Sequence, residues 1–252
     1  MNALLIAFLC FACVLGATFL GVLLRCVLPE EHLSDESKDV VKLSMGLVAT
    51  MTALILGLLV ASTKDAYDAK KTETLQMAAK IAYLDRALEN YGSETAAARA
   101  SLRGIVERMI AKLWPRAGAV TRLRDDPSGF RSTVLFDAIQ KLSPATDLQR
   151  ALKAQALTAA SDLGQMRWLL SEQGGSSIST PLLIIVVSWL AILFLSFALF
   201  APPNATVIGA LIVAALSVSG GILLILELDR PFDGFIRISS EPMEHTLSYL
   251  VD

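Results

Sequence analysis

Charge is what this chain lacks over its longest stretches. Four runs, Ala3–Leu24, Leu43–Ser62, Pro181–Phe200 and Ala205–Leu226, contain no Asp, Glu, Lys, Arg or His. About 20 helical residues cross the roughly 30 Å hydrocarbon layer of a bilayer, so each run is long enough to span one. Only 18% of the 252 residues are charged, against about a quarter in soluble domains, and mean hydropathy is +0.56. The uncharged interiors also argue against ion-coupled transport. A proton-driven pump or stator places an ionisable group near mid-bilayer, where it is costly and therefore functional. A passive pore needs none, because a ring of apolar side chains gates by dewetting.

Other scarcities exclude chemistry. The two histidines, His32 and His245, fall on opposite sides of a membrane crossed four times, which rules against a His-based triad or metal cluster. The three cysteines, Cys10, Cys13 and Cys26, all belong to the first apolar block. Cys10 and Cys13 form a CxxC, but at i,i+3 on a helix they share one face and lack a second ligand pair, so they read as packing residues. No GxSxG, P-loop, HExxH or GxGxxG is present. The acidic pair Asp125-Asp126 sits in "DDPSG", which reads as a polar loop before a helix. No basic stripe with interleaved aromatics accompanies the net charge of −2, which excludes a nucleic-acid partner. The expectation is a non-enzyme without cofactor or metal.

What is present is an all-α pattern. The runs pair into two membrane hairpins, residues 1–62 and 180–230, joined respectively by "PEEHLSDESKD" and the uncharged "APPNAT". The N-terminal run lacks a basic start and a small-residue cleavage site, so it reads as a retained helix. Between the hairpins, residues 63–179 read as a helical bundle, and residues 231–252 form a tail with a short amphipathic helix carrying Met243, Leu247 and Leu250. No breaker separates Asp39 from Tyr91, and Met77, Ile81, Leu84, Leu88 and Tyr91 recur at spacings 4-3-4-3. The second span is therefore expected to leave the membrane as one continuous rod ending at Gly92. A further helix is expected over Glu94–Trp114, with Leu102, Ile105, Met109 and Leu113 inward, and another over Gly129–Leu142. The last starts at Ser143-Pro144, turns Leu148, Leu152, Leu163, Met166 and Leu170 inward, and breaks at Gly174-Gly175.

Orientation follows from the basic residues. Residues 64–176 hold 17 Lys/Arg against 13 Asp/Glu, residues 25–42 hold 3 against 5, and the last connection holds neither. The positive-inside rule puts the insert and both termini in the cytoplasm, in what would be a bacterial inner membrane.

Two stretches carry candidate sites. In the second span, Gly46, Thr50, Ala53, Gly57 and Ala61 form a small-residue stripe, while Leu47, Met51, Leu54 and Leu58 form a bulky one. One reading packs the small stripe against other helices and leaves the bulky stripe to lipid or a neighbour. The other surrounds a pore with symmetry-related copies of one stripe, the bulky residues forming its constriction. At the end of the fourth span come Glu227, Asp229, Arg230 and Pro231. They read as a helix stop with a structural salt bridge, Lys64 or Arg167 supplying a base, or as a hinge between spans and cytoplasmic helices. Phe232, Phe235, Ile236 and Ile238 would return to the membrane interface beyond a Pro231–Gly234 turn.

Through "GLVATMTALILGLLVASTK" (Gly46–Lys64) and "LELDRPFDGFIRISSEP" (Leu226–Pro242) the chain resembles the bestrophin-like membrane family of bacteria and plants. Bestrophins are pentameric anion channels lined by their second span. The resemblance therefore implies a homo-oligomer, a ring of five in the family's pattern, with the second span innermost and ions and the lipid bilayer as its partners. The bestrophins' own signature segments are absent from this chain. The leading expectation is passive ion, and by resemblance anion, conduction. The rival is a non-conducting membrane scaffold or sensor whose cytoplasmic bundle binds a partner.

Overall fold

The computed structural model describes residues 3–29, 35–115, 133–172, 178, 180–202 and 204–250. His32, Asp125-Asp126, residues 129–132 and Gly174-Gly175 lie outside the described residues. The helices are α1 (Ala3–Val27), α2 (Asp35–Tyr91), α3 (Ala96–Leu113), α4 (Thr133–Gln140), α5 (Asp147–Glu172), α6 (Thr180–Phe200), α7 (Ala205–Leu228) and α8 (Glu241–Tyr249). Among the described residues there is no strand. Four helices, α1, α2, α6 and α7, are long and apolar enough to cross a membrane. The unbroken α2 is 57 residues long, as the absence of breakers requires.

The chain divides into two compact units. The first comprises Met1–Tyr67, Ser176–Arg230 and Gly234–Ile236; the second comprises Asp68–Gly175, Pro231–Asp233 and Arg237–Asp252. The division along α2 therefore falls at Tyr67, five residues beyond the apolar run.

In the first unit, α1 packs on α6 and α7. Its buried face is Ala3, Ala7, Cys10, Val14, Thr18 and Gly21, a mostly small-residue seam that lets helix backbones approach closely. A Cβ on Gly21 would stand 2.4 Å from the Leu195 carbonyl oxygen and 2.9 Å from Ala198 Cβ. Of the three cysteines only Cys10 is buried; Cys13 and Cys26 are exposed, so the packing role holds for one of them. Arg25, in the last turn of α1, donates to the Ala201 carbonyl at the end of α6, where the helix dipole favours a cation. Asn204 caps α7, its side chain accepting from the Val207 amide at 2.8 Å.

In the second unit, Met77, Ile81, Leu84 and Leu88 of α2 share one core with Leu102, Val106 and Met109 of α3, Leu135 and Ile139 of α4, and Met243. Gly92, at φ 127°, ends α2, and the Thr95 hydroxyl donates to the carbonyls of Leu88 and Gly92 at 2.7 Å. Arg99 donates from both Nε and Nη2 to the two Asp85 oxygens, at 2.7 and 3.1 Å. That hydrogen bonding holds the guanidinium above its ordinary pKa against the cost of burial.

Helix α5 departs from the leucine pattern. Its buried residues in the core are Ala156, Ala159 and Ala160, with Leu163 and Met166 partly covered. Leu148 is largely exposed, because it lies in the first turn. The helix begins at Asp147, beyond Ser143-Pro144. Thr146 Oγ1 accepts from the Gln149 amide at 3.1 Å, and Gln149 Oε1 accepts from the Ala145 amide at 2.8 Å. The Thr146 hydroxyl thus caps the helix in place of the Ser-Pro start, and the Gln149 side chain holds the residue before the cap.

Candidate functional site

Helix α2 has three faces within the first unit. Thr52, Leu59 and Thr63 are buried, and Ile55, Leu56 and Val60 are partly covered. The buried hydroxyls do not reach across helices: Thr52 donates to the Val48 carbonyl at 2.7 Å and Thr63 to the Leu59 carbonyl at 2.8 Å. At about 100° per residue, this face lies opposite the arc holding both stripes. Leu47, Met51, Leu54 and Leu58 are 63, 48, 65 and 70% exposed. Gly46, Thr50, Ala53, Gly57 and Ala61 are exposed as well, and a Cβ on Gly46 or Gly57 would meet nothing within 4 Å. Among the described residues of one chain, then, neither stripe packs against another helix. Sequence pattern alone did not identify the face that does, because its threonines satisfy their own helix and look polar.

The acid-rich end of α7 is a built turn. Glu227, in the last turn, is only 6% exposed. Its Oε2 accepts from the Phe235 amide at 2.6 Å and lies 3.5 Å from the Ile236 amide nitrogen. The Glu227 carboxylate thus serves backbone amides eight and nine residues ahead, a role the sequence reading did not assign to it. Gly234 makes room, with φ at 97° and a would-be Cβ 2.4 Å from Glu227 Oε2. Asp229 caps the helix, its amide bonding the Ile225 carbonyl, and the Arg230 amide bonds the Glu227 carbonyl at 3.1 Å. Both side chains are half-buried and Pro231 is buried. Lys64, offered as a base, stands over its own helix's Tyr67 ring at 5.8 Å.

In the second unit, the Pro231 carbonyl accepts from the Ile238 amide at 2.7 Å. Trp114 donates its indole N–H to the Ile238 carbonyl at 2.7 Å, and its ring meets Phe232 edge-on with centroids 5.4 Å apart. Phe232 and Ile238 thus turn inward, whereas Phe235 and Ile236 do not. A cavity of about 30 Å³ lies among Met77, Ile81, Leu102, Met109, Leu135 and Arg167, space for little more than a water molecule. Burial, then the nearby Arg108 charge, lowers the Arg167 pKa. Among the described residues no group of His, Cys, Asp and Glu could hold a metal ion.

The family model described as Bestrophin-like domain matches residues 12–243. No curated protein and no solved structure matches the chain.

Proposed function

The chain belongs to the Bestrophin-like domain family, and from that premise we propose that it assembles as a homo-oligomeric ring and conducts ions passively, with α2 innermost. The observation that carries the reading is the exposed arc of α2. Two stripes about a quarter-turn apart, one small and one bulky, lie on the side of the helix that its own chain leaves uncovered. Small residues let helices of adjacent copies approach. The bulky stripe would then face the axis, where rings of Leu47, Met51, Leu54 and Leu58 exclude water until they part.

The topology proposed with it has four spans in two hairpins, with residues 63–179 and both termini in the cytoplasm of a bacterial inner membrane, as the basic residues beside α2 favour. Anions are the favoured ions by family kinship. The net +4 of residues 64–176 attracts them, although the tail from Glu227 returns −4. Asp229, Arg230 and Pro231 serve as a stop and hinge at the end of α7, and no enzymatic step is assigned. The rival reading, a scaffold whose cytoplasmic bundle binds a partner, draws on the exposed Leu148, Val134 and Tyr83 of the second unit.

Thiol accessibility tests the pore. Leu54→Cys, in a chain whose native cysteines are replaced, is expected to react with a membrane-impermeant charged methanethiosulfonate when the pore is open. Val213→Cys, on the exposed apolar surface of α7, is expected not to react. Equal inertness at both positions, in vesicles containing intact oligomers, would place the bulky stripe in lipid or in a packed contact and remove it from any aqueous path.

A further inference from the structure

We propose that the turn Gly234–Ile236 is a bilayer anchor, its Phe235 and Ile236 side chains inserting at the boundary between acyl chains and headgroups beside the end of α7. Glu227 lies on the final turn of a 24-residue apolar helix. Its carboxylate holds the Phe235 amide at 2.6 Å. The backbone of residue 235 is therefore fixed one hydrogen bond away from that last turn. If α7 crosses the membrane, this is the height at which hydrocarbon gives way to headgroups. The inference rests on that part of the proposed topology.

The turn displays what such a boundary takes up. Phe235 is 77% exposed and Ile236 37%, an aromatic and a branched aliphatic side by side. Their exposure is not looseness. A buried carboxylate clips both amides, and Gly234 adopts φ 97° beneath them, where a Cβ would strike that carboxylate. The neighbouring apolar residues Phe232 and Ile238 belong to the other unit and are turned inward by Trp114. Of four apolar side chains in seven residues, only these two are presented outward. In sequence the apolar pair lies between Asp233 and Arg237, a pattern matched to a thin interfacial layer rather than to the membrane core. The apolar surface continues along α7 itself through Ile212, Val213, Leu216 and Leu224, all exposed. The lipid that covers those residues would extend to the turn.

The test uses the full chain in vesicles of phosphatidylethanolamine and phosphatidylglycerol, with Cys10→Ala, Cys13→Ser and Cys26→Ser as background. A nitroxide is attached through Phe235→Cys, or in separate samples through Ile236→Cys, Val213→Cys or Glu241→Cys. Relaxation by oxygen, which concentrates in lipid, is compared with relaxation by a water-soluble nickel chelate. The expected result is oxygen-dominated relaxation at 213, 235 and 236, and nickel-dominated relaxation at the exposed position 241. Nickel-dominated relaxation at 235 and 236, with 213 still in lipid, would overturn the anchor and leave α7 as a span. Nickel access at 213 would remove the span and the anchor together. Shielding from both reagents at 235, with dipolar broadening that disappears on dilution with unlabelled chain, would assign the turn to a contact between copies and equally overturn the anchor.

Discussion

Gly21→Val is expected to separate α1 from α6 and to collapse the yield of folded protein. A Cβ at position 21 would stand 2.4 Å from the Leu195 carbonyl oxygen, 2.9 Å from Ala198 Cβ and 3.2 Å from the Leu195 carbonyl carbon. Two of the three obstacles are backbone, which cannot swing aside as a side chain can, so a helix must move. Overpacking a close-fitting core costs about 1–3 kcal/mol, occasionally more, and here two branched methyl groups enter a site without room for one. We expect a loss of about 3 kcal/mol or more, read as a lowered midpoint of thermal unfolding in detergent. Gly16→Val, on the same helix with nothing within 4 Å of its would-be Cβ, is the control and should change the midpoint little. Equal tolerance at both positions would mean that α1 and α6 do not approach as described.

The second large effect is expected at the clip beyond α7. Gly234→Ala forces a side chain onto a backbone at φ 97°, a conformation that costs a non-glycine residue about 1–3 kcal/mol. It also drives a Cβ against the Glu227 carboxylate, displacing the acceptor of the Phe235 amide. Losing a part-buried hydrogen bond of this kind costs about 1 kcal/mol more. Glu227→Ala removes the same acceptor without touching the glycine, whereas Glu227→Gln keeps an acceptor of the same length and forgoes only the charge assistance. The expected order of loss is Gly234→Ala, then Glu227→Ala, then Glu227→Gln. Because both residues act through one hydrogen-bonded unit, combining Gly234→Ala with Glu227→Ala should cost less than the sum of the two. Strict additivity in that cycle would show that the carboxylate and the glycine act independently.

The sequence revealed the helices better than their contacts. Four long uncharged runs locate α1, α2, α6 and α7 because composition alone reports a helix that can enter lipid. The 4-3-4-3 spacing of Met77 to Tyr91 likewise marks a seam that the fold buries. Proximity is harder to read. Gly16, Gly21, Gly46 and Gly57 look alike in an apolar helix, yet of these four only Gly21 meets a neighbour among the described residues of its own chain. Leucine reports hydrophobicity and not closeness. The expectation for α5 therefore favoured its leucines; Leu163 and Met166 do pack against the core, but Leu148 is exposed and the fully buried residues there are alanines, short enough for another helix to come near. The threonine cap at Thr146 was legible as T-x-x-Q, but a competing Ser-Pro signal stood three residues earlier.

At the candidate site, the cluster beginning at Glu227 was visible and its chemistry was not. An acid beside Asp229 and Arg230 suggests an ion pair. The glycine seven positions on, which lets the chain fold back over that acid, gives the better clue. The stripes of α2 were legible as patterns, and the fold adds that a single chain covers neither of them. Lipid or a second copy would cover them, and the two leave the same periodicity in one sequence.

Ion flux through purified protein in liposomes tests the central claim most directly, with wild type and Leu54→Ala compared under potassium chloride gradients. The account predicts flux that rises in Leu54→Ala while the oligomer stays intact, because a constricting side chain has been shortened. Silence from both proteins, in vesicles shown to hold the assembled oligomer, would contradict conduction and leave the membrane scaffold as the reading to pursue.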